Sequence, residues 1–265
     1  MSMISSVKPI YTSKIIKAGA LLADTKTMLA NWDESQSSTE NLKRFKSENI
    51  FGKASRSRIE DILAIFRQRY LTDENTAKSL ATLIHHNFPP EALDRILYFH
   101  ATQSDSLLHD FVTDYLTTKQ RLGIRDIYIE DVERWISENI AEGKTSKPWS
   151  NITIKRSAQE LLSTLRDFAI LKGGNRKELA PIYLPVEAFA YIAFFLKEKG
   201  AQGQSLITEQ TWQLFFLPRE LVERLFLEAH QQNLLEFFAA GSTVRITFPA
   251  ESIEEYANVI AQRPY

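Results

Sequence analysis

Apolar residues recur at three- and four-residue spacing through six stretches that follow one another almost without interruption: Ile15 to Trp32, Arg58 to Leu71, Thr76 to Phe88, Pro90 to Ala101, Leu107 to Leu122 and Ile129 to Ile140. That spacing returns a side chain to the same face of an α-helix at every turn, so each stretch predicts an amphipathic helix with one buried side. The links are only a few residues long, which favours antiparallel neighbours and one helical bundle over residues 1–142. Asp73 and Glu74 sit where a helix start favours acids, and Pro89-Pro90 ends one helix and opens the next. Elsewhere punctuation is sparse. The 9 Gly and 9 Pro in 265 residues leave too few turns for a fold of many short strands. The expected fold class is therefore mainly α.

The rhythm changes over 143–265. The helix near Ile129 to Ala141, the segment EGKTSKPWSN and the amphipathic stretch Ile152 to Ile170 have a helix-turn-helix order. In the following LKGGNRKELAPIYLP, Gly173-Gly174 permit a tight turn and Ile182 to Leu184 suit a short strand, which resembles a wing. The pattern then recurs. Ser205 or Thr208 is placed to cap a short helix through Phe216, Pro218 opens another to Gln232, and LLEFFAAGSTVRITF reads as two strands joined at Ala240-Gly241. The chain thus reads as a helical bundle followed by two winged-helix-like units, at about 129–184 and 205–248, with at most short β-hairpins, and a C-terminal helix.

A formal net charge of −1 hides a segregated distribution. Eight Lys/Arg face three Asp/Glu from Lys43 to Arg69, and eight face two from Lys144 to Lys177; between them, from Asp73 to Glu142, thirteen acids face six bases. Local fields rather than totals attract charged partners, so the two basic blocks are the candidate anion-binding surfaces. On the Ile152 to Ile170 helix, Ala158, Leu161, Leu162, Leu165, Phe168 and Ala169 form the expected buried stripe. Arg156, Gln159, Ser163 and Arg166 line the opposite face, and Lys147, Asn151 and Lys155 are placed to meet phosphates. Arg donates two hydrogen bonds to guanine and Gln pairs in both directions with adenine, which suits a helix lying in the major groove. A solvated outer face explains the same pattern; the scarcity of acids, Glu160 and Asp167 alone, favours the groove. In the other block, Lys53, Arg56 and Arg58 lead into a helix striped by Ile59, Ile62, Leu63, Phe66 and Tyr70. Cations at a helix start oppose the macrodipole, so either these residues precede the helix in a loop or an anion belongs there. The second winged unit sets Arg219 and Arg224 against Glu220, Glu223 and Glu228, which suits packing on protein; Arg245 on its hairpin is the remaining phosphate contact.

No catalytic motif is found: HExxH, GxSxG, GxxxxGK[ST] and GxGxxG after a strand are all missing from the sequence. Zero cysteines exclude disulfides, thiolate nucleophiles and sulfur-bound zinc, and fit a reducing cytoplasm. His85-His86 point to different helix faces, and His100 and His109 lack ligand spacing. Glu130-Asp131 and Glu254-Glu255 read as acidic helix faces, and Trp135, Trp149 and Trp212 as core. No cofactor, metal or small-molecule substrate is expected. The opening MSMISSVKPIYTSKIIKAGALLADT has no uninterrupted apolar core of a signal peptide, and the longest apolar stretch, Val186 to Leu196, contains Glu187 and falls short of the ~20 residues of a membrane span.

Three strings go further than periodicity: YTSKIIKAGALLADTKTMLANW at 11–32, ENIFGKASRSRIEDILAIFRQRYL at 48–71 and TIKRSAQELLSTLRDFAIL at 153–171. They resemble the BrxA family, across nearly the whole chain. The family is a small core component of bacteriophage-exclusion (BREX) systems, which mark host DNA by adenine methylation and block replication of phage DNA lacking the mark. The resemblance implies a nearly all-helical globule with helix-turn-helix elements and affinity for double-stranded DNA, without methyltransferase, nuclease or ATPase activity, and with other BREX proteins as partners. It assigns no site residues; those named above rest on charge and helical placement. The expected function is non-enzymatic duplex DNA binding, mainly through phosphates. The alternative is a protein-protein adaptor with incidental nucleic-acid affinity.

Overall fold

The computed structural model describes residues 10–241 and 243–263; residues 1–9, read above for a signal sequence, lie outside the described residues. In chain order the helices are α1 (Ile15–Ala18), α2 (Leu22–Ala30), α3 (Ser38–Glu48), α4 (Arg56–Tyr70), α5 (Glu74–His85), α6 (Pro90–Ser104), α7 (Ser106–Asp110) and α8 (Thr117–Arg121). They continue as α9 (Ile129–Ala141), α10 (Asn151–Asp167), α11 (Val186–Glu198), α12 (Gln204–Thr208), α13 (Arg219–Gln231) and α14 (Ile253–Ala261). The strands are β1 (Asp126–Ile127), β2 (Leu171–Lys172), β3 (Lys177–Leu179), β4 (Glu236–Ala240) and β5 (Thr243–Thr247). The fold is mainly α, as the periodicity predicts, and the strands form two small antiparallel sheets.

Two compact units are each assembled from separated stretches of chain. The first joins the stretch ending at Ala20 to Thr102–Pro181; the second joins Leu21–Ala101 to the stretch beginning at Ile182. A division at 142/143 coincides with neither boundary. It would separate α9 from α10, which pack on each other and bury Val132 and Ile136 on one side and Ala158, Leu161 and Leu165 on the other.

In the first unit α10 also packs on α1 and on β2. The sheet has the order β1-β3-β2, with Ile127 opposite Lys177 and Leu171 opposite Leu179. The expected strand over 182–184 does not form; the returning strand is β3. Gly173 explains why. Its φ is +97°, and a Cβ there would lie 2.3 Å from the Arg176 carbonyl oxygen, so the chain reverses within 173–176 and pairs at once. The single helix expected from Ile15 to Trp32 is also broken, between α1 and α2, where Gly19 and Leu21 both have positive φ. The stretch 107–122 stays helical but passes through a π-helical segment, Phe111–Leu116, after which the hydroxyl of Thr117, the first residue of α8, donates back to the Val112 carbonyl at 2.9 Å.

In the second unit α11 buries ten of its side chains around its whole circumference. The longest apolar stretch of the sequence is therefore a core helix, packed on α12, α13 and α14. No helix among the described residues is long and apolar enough to cross a membrane. α14 packs on α5, with buried Ala77, Ala81, Ala257 and Ala261 permitting close approach and Lys78 3.6 Å from Glu254 at the seam. α3 is a helix the apolar periodicity did not announce; a capping box of Ser37 and Glu40 starts it. α12 begins after Gly203, so neither Ser205 nor Thr208 caps it, and a 3-10 segment, Gln210–Phe215, follows. Pro218 precedes α13 as expected. β4 and β5 pair from Glu236↔Thr247 to Ala240↔Thr243.

Candidate nucleic-acid interface

α10 starts cleanly because Ser150 is extended and its hydroxyl accepts the Thr153 N–H at 3.2 Å. The loop before it is tied to the body of the first unit by a polar network. The Tyr11 N–H donates to the Lys144 carbonyl at 2.7 Å, the Tyr11 hydroxyl donates to Asp110 Oδ2 at 2.7 Å, and Lys144 Nζ donates to that same oxygen at 3.3 Å. His109 lies 3.2 Å from the other Asp110 oxygen. Despite burial, the hydrogen bonds from His109, Tyr11 and Lys144 hold the Asp110 carboxyl below its ordinary range; burial, then the Asp110 charge, raises Asp114 and, with the Asp110 hydrogen bond, Tyr11. The charged Asp110 thus anchors the loop from which α10 emerges. Sequence reasoning passed over Tyr11, Asp110 and Lys144, since residues so far apart give no local signal.

Leu161, Leu162, Leu165 and Ala158 face inward along α10, as predicted, but Ala169 does not. It is exposed with φ +55° and ends the helix: its N–H reaches the Arg166 carbonyl and that of Ile170 reaches Leu165. On the outer face Asn151, Lys155, Arg156 and Gln159 are exposed, Lys147 is exposed in the preceding loop, and Ser163 is half-buried. Lys147, Lys155 and Arg156 have no ion-pair partner among the described residues. Arg166 differs. It holds Asp167 at 2.7 Å and donates to Ser163 at 3.3 Å. Glu160, the other acid of α10, lies on the side toward α1, 3.9 Å from where a Gly19 side chain would begin. The N-terminal half of the outer face therefore carries cations and amides and no carboxylate, and the first turn has no acid.

The turn between β2 and β3 adds less charge than its sequence suggests. Arg176 forms a two-pronged pair with Asp126, at 2.9 Å through Nε, and its guanidinium lies over the Tyr128 ring. Lys177 is buried, donates to the Gly173 and Gly174 carbonyls and is lowered in pKa by that burial. Lys172 sits 3.8 Å from Glu178.

The second basic cluster belongs to the second unit. α4 begins at Arg56, capped by Ser55, so Arg56 and Arg58 stand in its first turn and the loop alternative is overturned for them. Local partners offset part of the cost. Lys53 pairs with Asp24 at 3.0 Å; Arg56, 83% exposed on its side chain, lies 3.7 Å from Glu60, which also holds Lys46 at 2.8 Å; Arg58 is half-buried. Arg245 is exposed on β5, its guanidinium 5.0 Å over the ring of its cross-strand partner Phe238.

Against known families, the BrxA model matches residues 9–196. The chain belongs to the BrxA family. It is accordingly a component of a BREX phage-defence system. The BrxA match includes α9, α10 and the β1-β3-β2 sheet, and leaves 197–265 outside it. No curated protein matches the chain.

Proposed function

We propose that this BrxA-family protein is a non-enzymatic binder of double-stranded DNA, in which α9 and α10 act as a helix-turn-helix, α10 enters the major groove, and the β2-β3 turn is a short wing. The observation that carries this reading is the acid-free N-terminal half of the α10 outer face, where Asn151, Lys155, Arg156 and Gln159 are exposed together. N-terminal residues of a recognition helix reach base edges, while Lys and Arg neutralise phosphates. The strand order supports it: a sheet of order β1-β3-β2 packed at the end of α10 places the β2-β3 turn next in the chain after the candidate recognition helix. That the protein binds rather than catalyses rests on the sequence, which lacks the motifs of the common hydrolase, nucleotide-binding and metal-dependent chemistries. Few base contacts are available on one helix, so phosphate contacts dominate.

The test is fluorescence anisotropy with labelled random-sequence duplex DNA, and matched RNA, across a salt series. Lys155→Glu/Arg156→Glu is expected to abolish most duplex affinity. Replacing Arg166 by Glu has a smaller effect, because that guanidinium is already engaged by Asp167. Affinity should fall with salt at a slope of about −0.9 per phosphate neutralised. Unaltered binding by the double variant would sink the assignment to α10. The adaptor reading is favoured by α13, where Glu220, Glu223 and Glu228 outnumber Arg219 and Arg224 and Leu221 and Leu227 are exposed. If that reading holds, the α10 charge reversal leaves phage defence intact.

A further inference from the structure

Ile152 is 67% exposed, in the first turn of α10. Single apolar residues on a surface are ordinary; the place of this one is not. Lys155, Arg156 and Gln159 follow it at three, four and seven residues, so it stands at the head of the same helical face, and each of the three is exposed. A solvated face gains nothing from a β-branched aliphatic side chain there. In the major groove each base pair presents donors, acceptors or a methyl group, and an isoleucine side chain has no polar atom with which to meet the first two. The one base feature it complements is the C5 methyl of thymine, which cytosine lacks.

We propose that Ile152 packs against thymine methyl groups and gives α10 a preference for thymine-containing duplexes, with the neighbouring amides of Asn151 and Gln159 suited to adenine. This rests on the DNA-binding reading above and assigns the base class that the same helix selects. Burying one methyl group corresponds to about a fourfold change in affinity. Unlike the phosphate contacts, this contribution is insensitive to salt, because no counterion is released.

The test compares duplexes of equal length and sequence that differ only in thymine against uracil, and in cytosine against 5-methylcytosine, bound by the full chain and by Ile152→Ala. The wild type is expected to bind the thymine duplex about fourfold more tightly per contacted methyl than its uracil counterpart, and to gain on 5-methylcytosine. Ile152→Ala should bind the thymine duplex as weakly as the wild type binds the uracil one, and should not distinguish the two. Because the side chain is exposed, circular dichroism should find the variant folded. Equal wild-type affinity for thymine and uracil duplexes, with duplex binding retained, overturns the role of Ile152 and leaves the DNA-binding reading standing. Discrimination that survives in Ile152→Ala assigns the methyl contact to another residue and also overturns it. Absence of duplex binding at low salt overturns both.

Discussion

Lys155 and Arg166 lie on one helix with the same formal charge, and only the first is available to a partner. Asp167 and Ser163 occupy the Arg166 guanidinium, just as Asp24 occupies Lys53 and Asp126 occupies Arg176. Burial discriminates among histidines in the same way. His100 is 2% exposed, lies 3.2 Å from the Tyr191 hydroxyl and packs edge-on against Tyr70, Phe99 and Phe195. Burial, with a smaller opposing effect of Asp73 and a reinforcing one of Lys199, lowers its pKa from 6.5 to about 3. Between those two values the unfolded chain binds a proton that the folded chain refuses, so this contribution to stability is complete above pH 6.5 and is lost progressively as pH falls below it. His100→Gln keeps a hydrogen-bonding group beside Tyr191 and removes the titration. We expect the drop in thermal midpoint between pH 7 and pH 5 to be smaller in this variant than in the wild type; parallel drops would show that His100 does not set the acid sensitivity.

At the scale of elements, α10 ends on an avoidable strain. Ala169 adopts a left-handed conformation at φ +55° with its side chain exposed, a position where glycine avoids a penalty of about 1 kcal/mol. Ala169→Gly is expected to stabilise the protein by roughly 0.5–1 kcal/mol, measured by urea unfolding; a loss of stability would mean that the alanine methyl packs in a way its exposure denies. The same residue shows what the sequence conceals. Periodicity assigned Ala169 to the buried stripe, since a three- and four-residue rhythm does not say where a helix stops. The helices themselves were legible wherever an apolar stripe ran long, as in α4, α5, α9 and α10. α3 was overlooked because its only buried apolar side chains are Leu42 and Phe45, though Ser37 and Glu40 signalled its start. The strand at 182–184 was misplaced because the reach of a turn depends on Gly173 and the Arg176 carbonyl, which composition does not reveal. For the candidate site, charge segregation located the exposed cations of α10 but could not tell free cations from engaged ones, which is a matter of partners distant in sequence.

On the scale of the molecule, each unit is closed by chain segments far apart in sequence. The first needs the segment around Tyr11 and α1 against α10; the second needs α14 against α5. A fragment of residues 1–142 therefore contains neither unit whole. We expect it to lack cooperative thermal unfolding by circular dichroism and to be cleaved readily by protease, whereas a fragment that melts cooperatively would mean that the early helices are self-sufficient. The pairing of α5 with α14 also bears on synthesis. About 170 residues separate the two helices, an interval on the order of 10–30 s at a ribosome's pace of ~5–20 residues/s. Throughout it the buried residues of α5, Ala77, Leu80 and Ala81 among them, wait on the nascent chain without α14 beside them, so completion of the second unit is timed by the emergence of α14 and not by that of its first half.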